Sequence, residues 1–200
     1  MPTTFWDERF SEQAFVYGTE PNAFLVEQAV RLAPASRILV PGDGEGRNGV
    51  WLAGRGLRVL SVDASAVGLA KARRLAEERG VDIATEVADL AIWKWPVAEF
   101  DAVVAVFLHL PPAHRASIHG AMAAALKPGG IVILEAFRPE QLTFGSGGPK
   151  DPALLYTAEQ LKADFAGLEM LLLDDAVVEL GEGKFHSGTA ATVRLVARRS

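Results

Sequence analysis

Four glycines fall within eight residues in Ile38-Leu39-Val40-Pro41-Gly42-Asp43-Gly44-Glu45-Gly46-Arg47-Asn48-Gly49, directly after a run of aliphatics. Residues 44–49 read G-x-G-x-x-G, a spacing that lets backbone approach a pyrophosphate, while residues 42–46 read G-x-G-x-G, which suits a nucleoside carrying an amino-acid tail. A pyrophosphate favours backbone N–H groups at a helix N-terminus and disfavours carboxylates in the same turn. Asp43 and Glu45 stand in that turn. A like-charge contact at about 4 Å costs about 4 kcal/mol at an effective dielectric of about 20. Arg47 offsets part of this, but the loop is better matched to a ligand with an ammonium and a carboxylate, and S-adenosylmethionine carries both beside a positive sulfonium.

Two further acids follow at the ends of strand-like runs. Asp63, seventeen residues beyond Gly46, closes Ser61-Val62-Asp63 where a ribose diol lies in either nucleotide template. Asp89, in Val87-Ala88-Asp89-Leu90, can accept from an adenine amino group while Ala88 and Leu90 flank the ring. The set expected to line the cofactor is Gly42, Asp43, Gly44, Gly46, Asn48, Asp63, Ala64, Ala88, Asp89, Leu90 and Phe107.

Several chemistries are excluded. There is no cysteine, which removes disulfides, thiolate metal sites and a cysteine nucleophile. His109, His114 and His119 are spaced by five, not by the four that puts two imidazoles on one helical face, so no metal is expected. No G-x-S-x-G elbow and no Y-x-x-x-K pair occurs. Leu110 precedes Pro111-Pro112, unlike the D/N-P-P-aromatic motif that methylates exocyclic amino groups of bases. With a net charge of −5 and no dense Lys/Arg stripe, nucleic acid is not an expected partner. The aliphatic run 102–108 is far short of a membrane span and the N-terminus has no uninterrupted apolar core. A cytoplasmic protein acting on a small molecule, monomer or homodimer, is the expectation.

The elements that must position these residues can be read from periodicity. At 200 residues, 22% of them charged, the chain is expected to form one α/β domain spanning 1–200. Strand-like runs at 37–40, 57–62, 81–87, 100–107 and 131–137 alternate with helical patterns at 65–78 and 112–126. This alternation predicts parallel pairing with right-handed crossovers, and strands as aliphatic as AVVAVF suit a sheet covered on both faces. A capping-box helix opens at Thr157, and two β-prone runs, 168–180 and 189–199, flank GEGKFHSG, predicting a terminal antiparallel hairpin. The expected organisation is therefore a doubly wound, mostly parallel seven-stranded sheet divided into four parts. These are an N-terminal arm and helix (1–33), a cofactor core (37–137), a lid loop (138–156), and a helix with the hairpin (157–200). Five of the 16 aromatic residues, Phe5, Trp6, Phe10, Phe15 and Tyr17, crowd the first 17 positions, so the arm should pack on something.

In order, ILVPGDGEG, VLSVDAS, EVADL, FDAVVAVFLHLPP and ALKPGGIVILEAF resemble the segments of the class I S-adenosylmethionine-dependent methyltransferases over roughly residues 15 to 198. YGTEPNAFL, GEGRN, SGGPK with LLYT, and EGKFHSG are similar to the small tellurite-resistance-type group, relatives of the thiopurine methyltransferases. One departure is Val40, where the family commonly has an acid two residues before the first glycine; Asp43 is the expected substitute as partner of the ligand ammonium. The resemblance implies a soft acceptor, a thiol or a chalcogen oxyanion. His186 and Arg194 lie in the C-terminal region it associates with substrate handling and are, with Tyr17 of the arm, the catalytic candidates; by their places in the arm, strand end, long loop and hairpin turn, Phe15, Tyr17, His109, Arg138, Lys150 and His186 are the acceptor-binding ones. A small NAD-dependent oxidoreductase and a non-catalytic S-adenosylmethionine-binding protein are the alternatives.

Overall fold

The computed structural model describes residues 3–200, with side chains from residue 5 onward. Of the arm expected over 1–33, residues 1 and 2 lie outside the described residues. The strands are β1 (Arg37–Pro41), β2 (Arg58–Asp63), β3 (Ala84–Val87), β4 (Phe100–Val106), β5 (Leu126–Phe137), β6 (Glu169–Gly181) and β7 (Ser187–Arg198). The helices are α1 (Thr3–Phe10), α2 (Ala23–Gln28), α3 (Arg47–Gly54), α4 (Ala66–Arg79), α5 (Pro112–Ala125) and α6 (Ala158–Asp164).

One seven-stranded sheet has the order β3-β2-β1-β4-β5-β7-β6. Strands β1 to β5 pair in parallel, and β7 runs antiparallel to both β5 and β6. The doubly wound sheet with a terminal antiparallel hairpin is thus the observed fold. Alternation within each strand distributes the aliphatics between two layers. Leu39, Val103 and Leu134 pack with Ile118, Met122, Leu161 and Phe165 of α5 and the α6 region, whereas Ile38, Val40, Val104 and Ile133 pack with Phe24, Leu25 and Leu52 of α2 and α3. Both faces are buried, so the strands read as continuous hydrophobic runs.

The direction of strand order reverses between β1 and β4, and open α/β sheets bind ligands outside the carboxyl ends of their strands at such a reversal. The glycine loop leaves β1 and Phe107 leaves β4, so both stand at that reversal.

Boundaries differ from expectation for local reasons. The third strand begins at Ala84 and not at Val81, because Val81 turns back to pack with Val50 and Leu75 between α3 and α4. The loop over 138–156 is folded: Pro139–Thr143 and Pro152–Leu154 each form a 3-10 turn. The buried Gln141 amide donates to the Ser146 hydroxyl and the Gly147 carbonyl and accepts from Ala191 N–H on β7.

Candidate functional site

Backbone geometry shapes the loop after β1. Gly46 caps α3 at φ 86°, and a Cβ there would come 2.8 Å from the Ala72 Cα of α4. It is required both for a left-handed turn and for the contact between the two helices. Gly44, at φ 56°, lies under the ring of Phe10, whose Cζ would stand 3.0 Å from a Cβ at that position. The arm therefore closes directly over the glycine loop. At Gly42 the backbone N–H donates to Val62 O at 2.7 Å, fastening the loop to β2.

The acids of this loop do not act as the sequence reading supposed. Asp43 is 8% exposed and turned inward, accepting from the Ser61 hydroxyl at 2.5 Å and from Gly49 N at 3.3 Å. Desolvation pushes its carboxyl up to about 6, against the pull of the Ser61 and Gly49 hydrogen bonds. It braces the loop against β2 and α3 and is withdrawn from the expected role at a ligand ammonium. Val40, in the position of the family acid, is buried in the core layer beside Phe24 and Leu52. Glu45 pairs with Lys71, and Arg47 donates to Glu182 at 2.6 Å. The charge argument against a pyrophosphate thus loses its premise, since both acids are consumed inside the protein.

Asp63 stands at the end of β2, its Oδ2 accepting from Gly44 N at 2.9 Å and its Oδ1 from Ser65 N at 2.8 Å. Desolvation raises its carboxyl above the ordinary range despite these two donors, and Asp7 of α1 adds to the rise. Each carboxylate oxygen keeps capacity for a second donor, so a diol can be held here. Ala64 follows it, partly buried. Asp89 is exposed, with Oδ1 accepting from Ala91 N at 2.9 Å; Ala88 and the buried Leu90 flank it and join the core layer of α5. Asn48 is a correction: its side chain accepts from Asn22 N at 3.0 Å and holds the start of α2.

An aromatic cluster gathers around Tyr17 of the arm. Tyr17 and His186 ring centroids are 4.6 Å apart, Phe107 and His186 4.7 Å, Phe107 and Phe137 4.4 Å, and Phe137 and His186 5.2 Å. Phe107 adopts φ 52°. For a bulky side chain this left-handed geometry costs about 1–3 kcal/mol and is a signature of functional positions. Burial holds the His186 imidazole below its ordinary range, against the pull of Glu182, while Arg47 and Arg9 add to the depression. Its Nδ1 faces Glu182 Oε2 at 3.7 Å. Burial also raises the Tyr17 hydroxyl, an effect partly opposed by Arg9. The site therefore has a neutral imidazole and a neutral phenol set among apolar rings.

The remaining candidates fall elsewhere. Phe15 packs with Val50 and Leu75 under Lys71 and Arg74, on the α3–α4 side, and fastens the arm. His109 is tied by both ring nitrogens, Nδ1 to Leu154 O at 2.7 Å and Nε2 accepting from Phe137 N at 3.4 Å, and desolvation lowers it to about 4. It is a fastener of the loop before α5. Arg138 is spent on Glu140 and Asp175. Lys150 is exposed to solvent. Arg194 pairs with Glu135 at 2.7 Å and lies over Phe24.

Sequence reasoning missed the group that ties these parts together. The Asn22 amide donates to Glu135 at 2.6 Å and to Glu182 at 3.0 Å. Glu135 in turn accepts from Thr192 and Arg194, and Glu182 from Arg47. Desolvation would raise the Glu182 carboxyl, but His186 and Arg47 outweigh it and hold it at about 2. The signal was present in PN, GRN and EGKFH, which supply Asn22, Arg47, Glu182 and His186.

A family model described as a methyltransferase domain matches residues 38–130, from β1 to the start of β5. A thiopurine S-methyltransferase of Pseudomonas putida (strain GB-1) is 40% identical over 68 residues, 32% of each chain, so the match spans about a third of that relative's length. Three solved structures share the fold. One, described as converting a disulfide bond into a thioacetal group during echinomycin biosynthesis, has a TM-score of 0.78 at 20% identity, over 99% of this chain and 92% of its own. TehB from Haemophilus influenzae has 0.72 at 19%, over 99% and 67%. The magnesium protoporphyrin IX methyltransferase of Synechocystis PCC 6803, with bound S-adenosylhomocysteine, has 0.65 at 18%, over 99% and 83%.

Proposed function

We propose that this chain is a class I S-adenosylmethionine-dependent methyltransferase that moves a methyl group from that cofactor to the soft nucleophile, a thiol or a chalcogen oxyanion, of a small acceptor. The observation that carries the reading is the β1/β4 reversal, where the arm meets the glycine loop and Asp63 through Phe10 and a neutral aromatic cluster through Tyr17. A sulfur acceptor is supported by the thiopurine S-methyltransferase match and by the sulfur chemistry named for one structural neighbour. The cofactor is supported by the matched domain and by the S-adenosylhomocysteine in another. The nicotinamide reading loses its support, because β7 is inserted antiparallel between β5 and β6 and the matched domain is a methyltransferase.

When bound, the cofactor supplies an electrophilic methyl on a sulfonium, displaced in line. The protein's own residues do the rest. Asp63 and the Gly44 turn hold the nucleoside and tail, and Phe10 and Tyr17 close the arm over them. Phe107, Phe137 and Tyr17 exclude water from the reacting centre, where dispersed charge makes alignment the main source of rate. A thiol acceptor must lose its proton as the new carbon–sulfur bond forms. Neutral His186 can take it, and the Glu182 carboxylate 3.7 Å away stabilises the imidazolium. An oxyanion acceptor needs no base.

The test is S-adenosylhomocysteine formation from S-adenosylmethionine with aromatic and aliphatic thiols, selenite and tellurite in turn. Turnover with a thiol should fall by about a hundredfold in His186→Ala, the size of a general-base contribution, while turnover with an oxyanion is spared. No turnover with any of these soft nucleophiles would contradict the reading.

A further inference from the structure

We propose that Glu45 and Lys71 are positioning residues that lock residues 10–17 over the cofactor loop, making cofactor retention and closure of the acceptor face a single event. The inference rests on the methyltransferase reading above and assigns a role to the glycine-loop acid that binds no ligand.

Glu45 is 4% exposed and Lys71 7%, and their charges meet beneath the arm. The carboxylate accepts from Val16 N at 2.8 Å and from Tyr17 N at 3.3 Å. The ammonium donates to the carbonyls of Ala14 at 2.6 Å, Glu12 at 2.8 Å and Phe10 at 3.4 Å. An ammonium has three N–H donors, so with Glu45 and three carbonyls around it Lys71 is fully engaged. Together the pair grips five backbone groups of one eight-residue segment.

Each end of this grip meets a part of the site. Glu45 lies between Gly44 and Gly46 in the loop itself, and Lys71 is one turn beyond Gly68, which with Gly44 lies against the Phe10 ring. At the other end, Val16 O accepts from Lys184 N at 2.9 Å in the hairpin turn that carries His186, so Tyr17 is fixed against His186 from two sides. A buried ion pair is a poor source of stability, since desolvation offsets its attraction, and an apolar pair would pack as well. What an apolar pair lacks is any means of holding the arm backbone.

The experiment is residue-resolved hydrogen exchange with stopped-flow S-adenosylhomocysteine release, on the full chain and on Glu45→Leu/Lys71→Met, which removes both charges and leaves neither alone. In the unmodified protein, saturating S-adenosylhomocysteine should slow exchange at Val16 and Tyr17. In the double variant, amides of residues 12–18 should exchange faster and the ligand leave faster, each by about tenfold or more, with protection at 102–106 and 131–136 retained. Release at an unchanged rate, or arm protection indifferent to ligand in the unmodified protein, would overturn the role. Should the variant lose protection throughout its core, the unmodified protein's response to ligand decides. Failure of the unmodified protein to bind S-adenosylhomocysteine would instead overturn the methyltransferase reading, and this inference with it.

Discussion

Asp43 is the residue whose burial has the plainest solution consequence. Its folded pKa of about 6 lies above the ordinary 3.8, so between those values the folded chain holds more protons than the unfolded one. Stability from this group therefore falls as pH rises from about 4 to about 6, by at most about 3 kcal/mol. Asp43→Asn keeps an acceptor for Gly49 N and offers a donor to Ser61. Urea unfolding should show the variant equal to the parent at pH 4 and more stable at pH 7, and a variant less stable at pH 7 would refute the assignment. Asp63, also raised, acts in the same sense in both proteins. Phe107 gives a second residue-scale prediction. Because its φ of 52° is unfavourable, Phe107→Gly relieves strain while deleting the ring. The stability loss should be below the roughly 3–5 kcal/mol usual for truncating a core phenylalanine, yet turnover should drop by about tenfold or more as water enters. Full turnover would remove the ring from the account.

At the scale of elements, the polar group around Asn22 joins α2, α3, β5, β7 and the hairpin turn. Asn22→Ala removes the N-cap of α2 and one partner from each of two buried carboxylates. A loss of about 3 kcal/mol is expected in thermal or urea unfolding, and a change under about 1 kcal/mol would show that Glu135 and Glu182 are satisfied by Arg194 and Arg47 alone. This group marks the limit of what sequence could tell. The alternation of aliphatic strands and helical patterns predicted the sheet, and the Gly-rich turn between two β-prone runs predicted the antiparallel end, because those are local signals. Asp63 and Asp89 were placed by strand ends in the same way. Asp43, Asn48 and Arg194 were assigned to ligands because a polar residue beside a glycine loop or in the terminal hairpin reads as ligand-facing. Whether it faces ligand or protein depends on partners 18 to 59 residues away, such as Ser61, Asn22 and Glu135. Periodicity carries no information about those pairings.

For the whole molecule, the sheet order brings the proposed cofactor wall and the proposed acceptor wall to the β1/β4 reversal, and the arm reaches both. Phe10 lies over the glycine loop and Tyr17 against His186, only seven residues apart in the chain. The central claim is that the wall made by the glycine loop and Asp63 binds S-adenosylmethionine. Calorimetric titration with S-adenosylmethionine, S-adenosylhomocysteine and NAD, on the parent protein and on Asp63→Ala, tests it most directly. The account predicts saturable binding of the first two, weakened by about tenfold or more in the variant through loss of charge-assisted hydrogen bonds to the ribose, and none of NAD. Binding of NAD alone, or S-adenosylhomocysteine binding that Asp63→Ala leaves unchanged, would contradict it.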